Sequence, residues 1–88
     1  MKATALQNIL ETAFEMAQDN NNDMYITVTM KSGYQYKFNY GDNDDIIIEN
    51  LPSTGLLQIC NASEYDGKDA VERGTAWLDI DEIESVAI

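Results

Sequence analysis

The hydrophobic period of this chain changes once, and that change fixes most of what it can fold into. Over "TALQNILETAFEMAQ", residues 4–18, Leu6, Ile9, Leu10, Ala13, Phe14 and Ala17 recur at three- and four-residue spacing. That spacing lines one face of an amphipathic helix. Thr4 followed by Gln7 predicts a capping box at its start. "DNNND" at 19–23 stops it, because Asn and Asp side chains compete for backbone hydrogen bonds. From residue 25 the period is two. Ile26, Val28 and Met30 take one face, and Tyr25, Thr27 and Thr29 the other. "KSG" then turns the chain, with Gly33 free to take positive φ. The return strand sets Tyr34, Tyr36, Phe38 and Tyr40 against Gln35, Lys37 and Asn39. A β-hairpin over 25–31 and 34–40 is predicted.

The remainder keeps short strands. "DIIIEN" predicts one over 45–50, and "LPSTG" breaks it because Pro52 cannot donate to a ladder. Further strands are expected over 56–61, 75–80 and 84–88, with a tight 3₁₀ turn at Asp81–Ile83 before the last. The polar stretch "SEYDGKDAVERG" reads as an excursion carrying one helical turn near Lys68–Arg73. The 88 residues suffice for one domain, 1–88. The predicted class is α+β: an N-terminal helix packed on a five- to six-stranded antiparallel sheet, or a small barrel, whose closure removes exposed edges. The helix, the bent hairpin and the terminal "WLDIDEIESVAI" resemble the SH3-like and Sm-like small barrels. That resemblance implies a strand, a single 3₁₀ turn and a final strand. The Sm-like signature sets an Arg-Gly pair just before the last strand. Here "ERG" ends at Gly74, fourteen residues before Ile88, so none of that family's functional residues is carried over.

Charge narrows function. The net charge is −11. Residues 1–40 carry four acids against Lys2, Lys31 and Lys37. Residues 41–88 carry twelve acids against Lys68 and Arg73, a balance of −10. Such a surface repels phosphates and anionic membranes and attracts basic partners. Direct nucleic-acid binding needs Lys and Arg to displace counterions, which this chain lacks in number. No stretch approaches a membrane span, and Gln7, Asn8 and Glu11 interrupt any leader-like apolar run. A soluble, cytoplasmic protein is expected. The one cysteine, Cys60, allows no internal disulfide and reads as a buried structural thiol.

Chemistry is bounded by what is missing. With no histidine, the commonest general base and every Ser-His or Cys-His pair are absent. No Gly-Lys-Ser or Gly-Lys-Thr phosphate loop occurs. The expectation is a non-enzyme without cofactor. Asp19, Asn21 and Asp23 match the opening of an EF-hand loop, but Met24 and Met30 replace its glycine and its bidentate glutamate. For Asp42, Asp44 and Asp45 the template fails at Ile46. These aspartates read as a turn rich in Asp and Asn, and no metal site is assigned.

The residues expected to meet a partner are the acids and the lone tryptophan. They are Asp42, Asp44, Asp45 and Glu49; Glu64 and Asp66; and Asp79, Asp81, Glu82 and Glu84. In "TAWLDI", alternation turns Ala76, Leu78 and Ile80 inward and leaves Trp77 outward, a candidate interface anchor. The expected function is an acidic protein-binding module, monomeric or dimeric, that occupies a basic nucleic-acid-binding surface. In size, charge and lack of catalytic groups the chain is similar to small phage-encoded anti-defence proteins, including anti-CRISPR proteins that mimic DNA. That resemblance implies a Cas effector or another nucleic-acid-handling complex as partner, in the host cytoplasm. The alternatives are an oligomeric small-barrel scaffold and a carboxylate-based metal-binding regulator.

Overall fold

A computed structural model describes residues 1–19, 25–39, 55–65 and 69–88. The helix α1 runs Ala3–Asp19. Five strands follow: β1 (Tyr25–Met30), β2 (Gln35–Asn39), β3 (Leu56–Tyr65), β4 (Ala70–Asp79) and β5 (Ile83–Ala87). A 3₁₀ turn, Ile80–Glu82, joins the last two. The class is α+β, one helix on an antiparallel sheet of order β4-β3-β2-β1-β5.

The two periods do what they predict except at Ile9, which lies on the flank of the helix and is exposed. Leu6, Leu10, Ala13, Phe14 and Ala17 are buried, and so are Ile26, Val28 and Met30. They share one core with Phe38, Leu57, Ile59, Ala62, Leu78, Ile80 and Ile83. The hairpin pairs Tyr25 with Asn39 through to Thr29 with Gln35. Gly33 takes φ +95° in its turn, and the Met30 amide donates to the Tyr34 carbonyl at 2.8 Å. The aromatic row is graded rather than uniform. Phe38 is fully buried, Tyr36 half-buried and Tyr34 exposed, while Tyr40 lies outside the described residues. Truncating Phe38 to alanine removes a side chain worth about 3–5 kcal/mol in a core.

The sheet stays open, so the closed-barrel alternative is corrected. Among the described residues β4 and β5 are its two edges, and they do not pair with each other. Yet they are joined by only three residues. Four Cα steps from Asp79 to Ile83 span at most about 15 Å, whereas the outer strands of a flat five-stranded sheet lie about 19 Å apart. The sheet must therefore curl until its edges approach at the 3₁₀ turn. Two bends permit this. Asn61 at φ 54° and Gly74 at φ 72° sit where the β3–β4 register slips, and bulges of this kind bend strands and increase twist. The turn is stitched on three sides. Ile80 N–H donates to the Gly55 carbonyl at 3.3 Å, Lys31 N–H to the Glu82 carbonyl at 2.8 Å, and the Met1 nitrogen to the Ile80 carbonyl at 2.6 Å.

Several boundaries move. The strand expected over 56–61 continues to Tyr65, and that expected over 75–80 begins at Ala70. The helical turn expected near Lys68–Arg73 is not formed: Ala70–Arg73 are strand, paired through Tyr65–Ala70, Glu64–Val71 and Ser63–Glu72. Backbone pairing at a sheet edge, not burial, holds that segment, since every residue from Ala70 to Thr75 is exposed. The capping box is also not formed. The first helical bond runs from Leu6 N–H to the Lys2 carbonyl at 3.0 Å, which makes Lys2 the N-cap and puts Thr4 inside the first turn. The 3₁₀ turn comes one residue earlier than expected. The strand expected over 45–50 lies outside the described residues.

Candidate functional site

Asp79, Asp81, Glu82 and Glu84 come together where β4 passes through the 3₁₀ turn into β5, and all four are exposed. Asp79 also has a structural duty. Its Oδ1 accepts the Asp81 amide at 3.0 Å and caps the turn, which satisfies a backbone donor that the turn leaves open. Glu84 sits at a bulge, because Thr29 faces Ser85 and Met30 faces Ile83 with no residue opposite Glu84. The three carboxylates at 81, 82 and 84 have no cation bridging them among the described ion pairs.

Trp77 stands on the outer face of β4 at 61% exposure, while Leu78 and Ile80 are buried. Its indole N–H donates to Gln58 Oε1 at 3.1 Å, directly across the ladder. Leu56 faces Asp79 and is therefore the diagonal neighbour of Trp77, and it is itself 41% exposed. The outer face of β3–β4 thus presents an apolar pair bordered by Asp79. Leu56 and Gln58 carry no individual sequence signal. Their place beside Trp77 follows only from the strand register.

Glu64 belongs to a different part of the sheet. It lies six residues along β3 from Gln58, about 20 Å at ordinary strand rise. Arg73 Nε donates to its Oε2 at 2.8 Å, and Tyr36, its cross-strand partner, donates a hydroxyl hydrogen bond to it. Burial first, and then that bond to the Glu64 carboxylate, pushes the Tyr36 phenol above its ordinary value of 10.0. Glu64 is thus engaged inside the protein rather than offered to a partner. On the far side of β2, Lys37 Nζ lies 4.6 Å from the centroid of the Tyr65 ring, a cation–π contact. Two of the five cations are therefore spent on local contacts. Cys60 is half-buried rather than buried, because Leu57 and Ile59 take the inward positions of β3.

Asp42, Asp44, Asp45, Glu49 and Asp66 lie outside the described residues. Among the described residues no three His, Cys, Asp or Glu side chains converge as a metal would require. No described helix is long and apolar enough to cross a membrane. Comparison with protein-family models, with curated proteins and with solved structures gave no significant match.

Proposed function

We propose that the chain is a non-enzymatic, acidic protein-binding module that inhibits a partner by occupying its basic, nucleic-acid-binding surface, in the manner of an anti-CRISPR or related anti-defence protein. The observation that supports this most is the exposed run of Asp79, Asp81, Glu82 and Glu84 beside Trp77 and Leu56. Carboxylates running from the end of β4 through the turn, with a largely exposed aromatic on the same strand, provide what such a surface selects: charge for rapid, oriented encounter and an apolar anchor for residence. The net charge of −11, most of it in the second half of the chain, adds a field that favours encounter with a basic surface. Affinity capture from a bacterial lysate across a salt series tests it. Binding at 50 mM salt that is lost by 500 mM is expected, since surface attraction is screened within about 10 Å already at 0.1 M. Capture that ignores salt, or none at low salt, overturns the electrostatic account.

A second reading rests on the two sheet edges. β4 and β5 each have one strand neighbour among the described residues, so head-to-tail pairing between copies is geometrically open. Native mass separates the two. A monomer or dimer fits the inhibitor, and a closed ring of five to seven copies fits the scaffold.

A further inference from the structure

Trp77 belongs to a four-residue patch that only the strand register assembles. Trp77 stands opposite Gln58, and Asp79 stands opposite Leu56. The pair between them, Leu57 and Leu78, is buried in the core that α1 covers, so the four side chains share the face away from the helix. Two of the four are held in place. The Trp77 indole N–H donates to Gln58 Oε1 at 3.1 Å, and Asp79 Oδ1 accepts the Asp81 amide at 3.0 Å. An indole has one donor, and here it is used. What the ring still offers is its π face, with the residue 61% exposed. The Asp79 carboxylate keeps a second oxygen, Oδ2, able to accept. Positions two apart on one strand are about 6.7 Å apart, so one planar cation reaches both groups. Among the described residues no cation lies within salt-bridge distance of Asp79, and the one cation–π contact is Lys37 on Tyr65. Tyr65 is thus served by a cation of the chain itself. Trp77, the better ring for such a contact, has a carboxylate on its own strand face instead.

Charge and shape together select the occupant. An anionic ligand would be repelled by Asp79 and by a chain of net charge −11. A second copy stacked on this face would bring another Asp79 and the same net charge against the first. A lysine satisfies the charge, but its compact, strongly hydrated ammonium gains less from a flat ring. A guanidinium is planar and weakly hydrated, and it stacks on an aromatic face while its edge donates to a carboxylate. We propose that Trp77, Asp79 and Leu56 seat one arginine side chain of the partner protein. The guanidinium lies on the Trp77 ring and donates to Asp79 Oδ2, and the aliphatic stem covers Leu56. Gln58 is a positioning residue, because it holds the ring by its edge. Both the ring and the carboxylate are already tethered in the free protein, so little ordering falls on binding. Basic nucleic-acid-binding surfaces are rich in such arginines. The proposal rests on the acidic-module reading for the presence of a basic partner, and adds to it the side chain that the partner contributes.

Trp77 is the one tryptophan in the sequence, so its indole N–H signal in ¹⁵N spectra reports this site alone. The probe is a capped Gly-Arg-Gly peptide, titrated to tens of millimolar with ionic strength held at about 100 mM. Two further peptides separate charge from shape: lysine in place of arginine keeps the charge, and citrulline keeps the shape without it. A saturable shift of the indole signal is expected with arginine, at least threefold weaker with lysine and absent with citrulline. Asp79→Asn keeps the turn capped and is expected to weaken arginine at least threefold while the melting temperature holds. Glu15→Gln removes the same charge from α1, across the sheet from Trp77, and is expected to leave arginine binding nearly unchanged. No shift with arginine, equal binding of arginine and lysine, or equal weakening by Asp79→Asn and Glu15→Gln overturns the seat. So does an indole signal that moves with a neutral disaccharide but not with arginine, which marks a sugar-stacking face. An indole signal that moves with protein concentration alone marks a self-association face and overturns it too. Lysate capture tests the broader reading separately. Salt-dependent capture that Trp77→Leu and Asp79→Asn leave unchanged keeps the acidic module and removes the arginine seat. An arginine-specific shift without any capture keeps the seat and removes the module.

Discussion

Tyr36 carries the clearest residue-scale signal. Its phenol is pushed above 10.0 by burial and by its hydrogen bond to Glu64, so the folded chain holds the proton more tightly than the unfolded one. The stability this adds is complete below about pH 10, where both states are protonated, and it is lost as pH rises through the folded value. The difference in 295 nm absorbance between the wild type and Tyr36→Phe is therefore expected to show Tyr36 ionising above 10.0, and the melting temperature is expected to fall through this alkaline window. Glu64→Gln should lower that midpoint. A Tyr36 midpoint that Glu64→Gln leaves unmoved would mean that the Tyr36–Glu64 bond is not present in solution. Asn61 offers a second test. At φ 54° it occupies the left-handed region, which Asn tolerates through local side-chain hydrogen bonding and Ala, without such a side chain, does not. Asn61→Gly should leave stability within about 0.5 kcal/mol, and Asn61→Ala should cost about 1–2 kcal/mol in urea unfolding. The reverse order would mean that the bulge is held by its side chain rather than by its backbone.

At the scale of elements, α1 begins without help. Lys2 is the N-cap, and no acid stands in the first turn, so a cation sits at the positive end of the helix dipole. Lys2→Asp should therefore stabilise by about 1 kcal/mol, a rise of about 4–8 °C in melting temperature for a domain of this size. No rise would mean that the 3.0 Å bond from Leu6 to Lys2 does not mark the true start. At the other junction, Asp79→Ala should cost about 1 kcal/mol by uncapping the 3₁₀ turn, whereas Asp79→Asn keeps the cap and should cost a few tenths. That pair also separates cap from charge in any binding assay. The same elements explain what the sequence could and could not tell. α1, β1 and β2 were legible because their apolar residues keep one period throughout. β3 and β4 were underestimated because Asn61 and Gly74 break the alternation midway. The outer half of β4 is exposed on both faces, so no pattern marks it as strand. Trp77 pointing outward was legible from Leu78 and Ile80 alone. Its bond to Gln58 and its place beside Leu56 depend on register, which tertiary packing sets.

The whole molecule is small relative to its own field. Its extents are 30 × 28 × 19 Å, while the screening length is about 30 Å at 0.01 M salt and about 8 Å at 0.15 M. In dilute buffer every carboxylate therefore senses every other, and at physiological salt only near neighbours interact. Unfolding moves the charges apart, so self-repulsion at net −11 weighs against the folded state. The melting temperature at pH 7 should rise by several degrees between 10 and 150 mM sodium chloride and then level off, because screening is by then shorter than most charge separations. The plateau is the discriminating part. Electrostatic relief saturates with ionic strength, whereas stabilisation by salt exclusion from the surface keeps growing toward molar concentrations and is larger for sulfate than for chloride. A rise that continues linearly to 1 M, or none below 150 mM, would mean that the acids are spaced or paired well enough not to strain the fold. The case for a functional charge would then weaken with it. An acidic surface that costs stability needs a partner to explain its retention, and one that costs nothing is adequately explained by solubility.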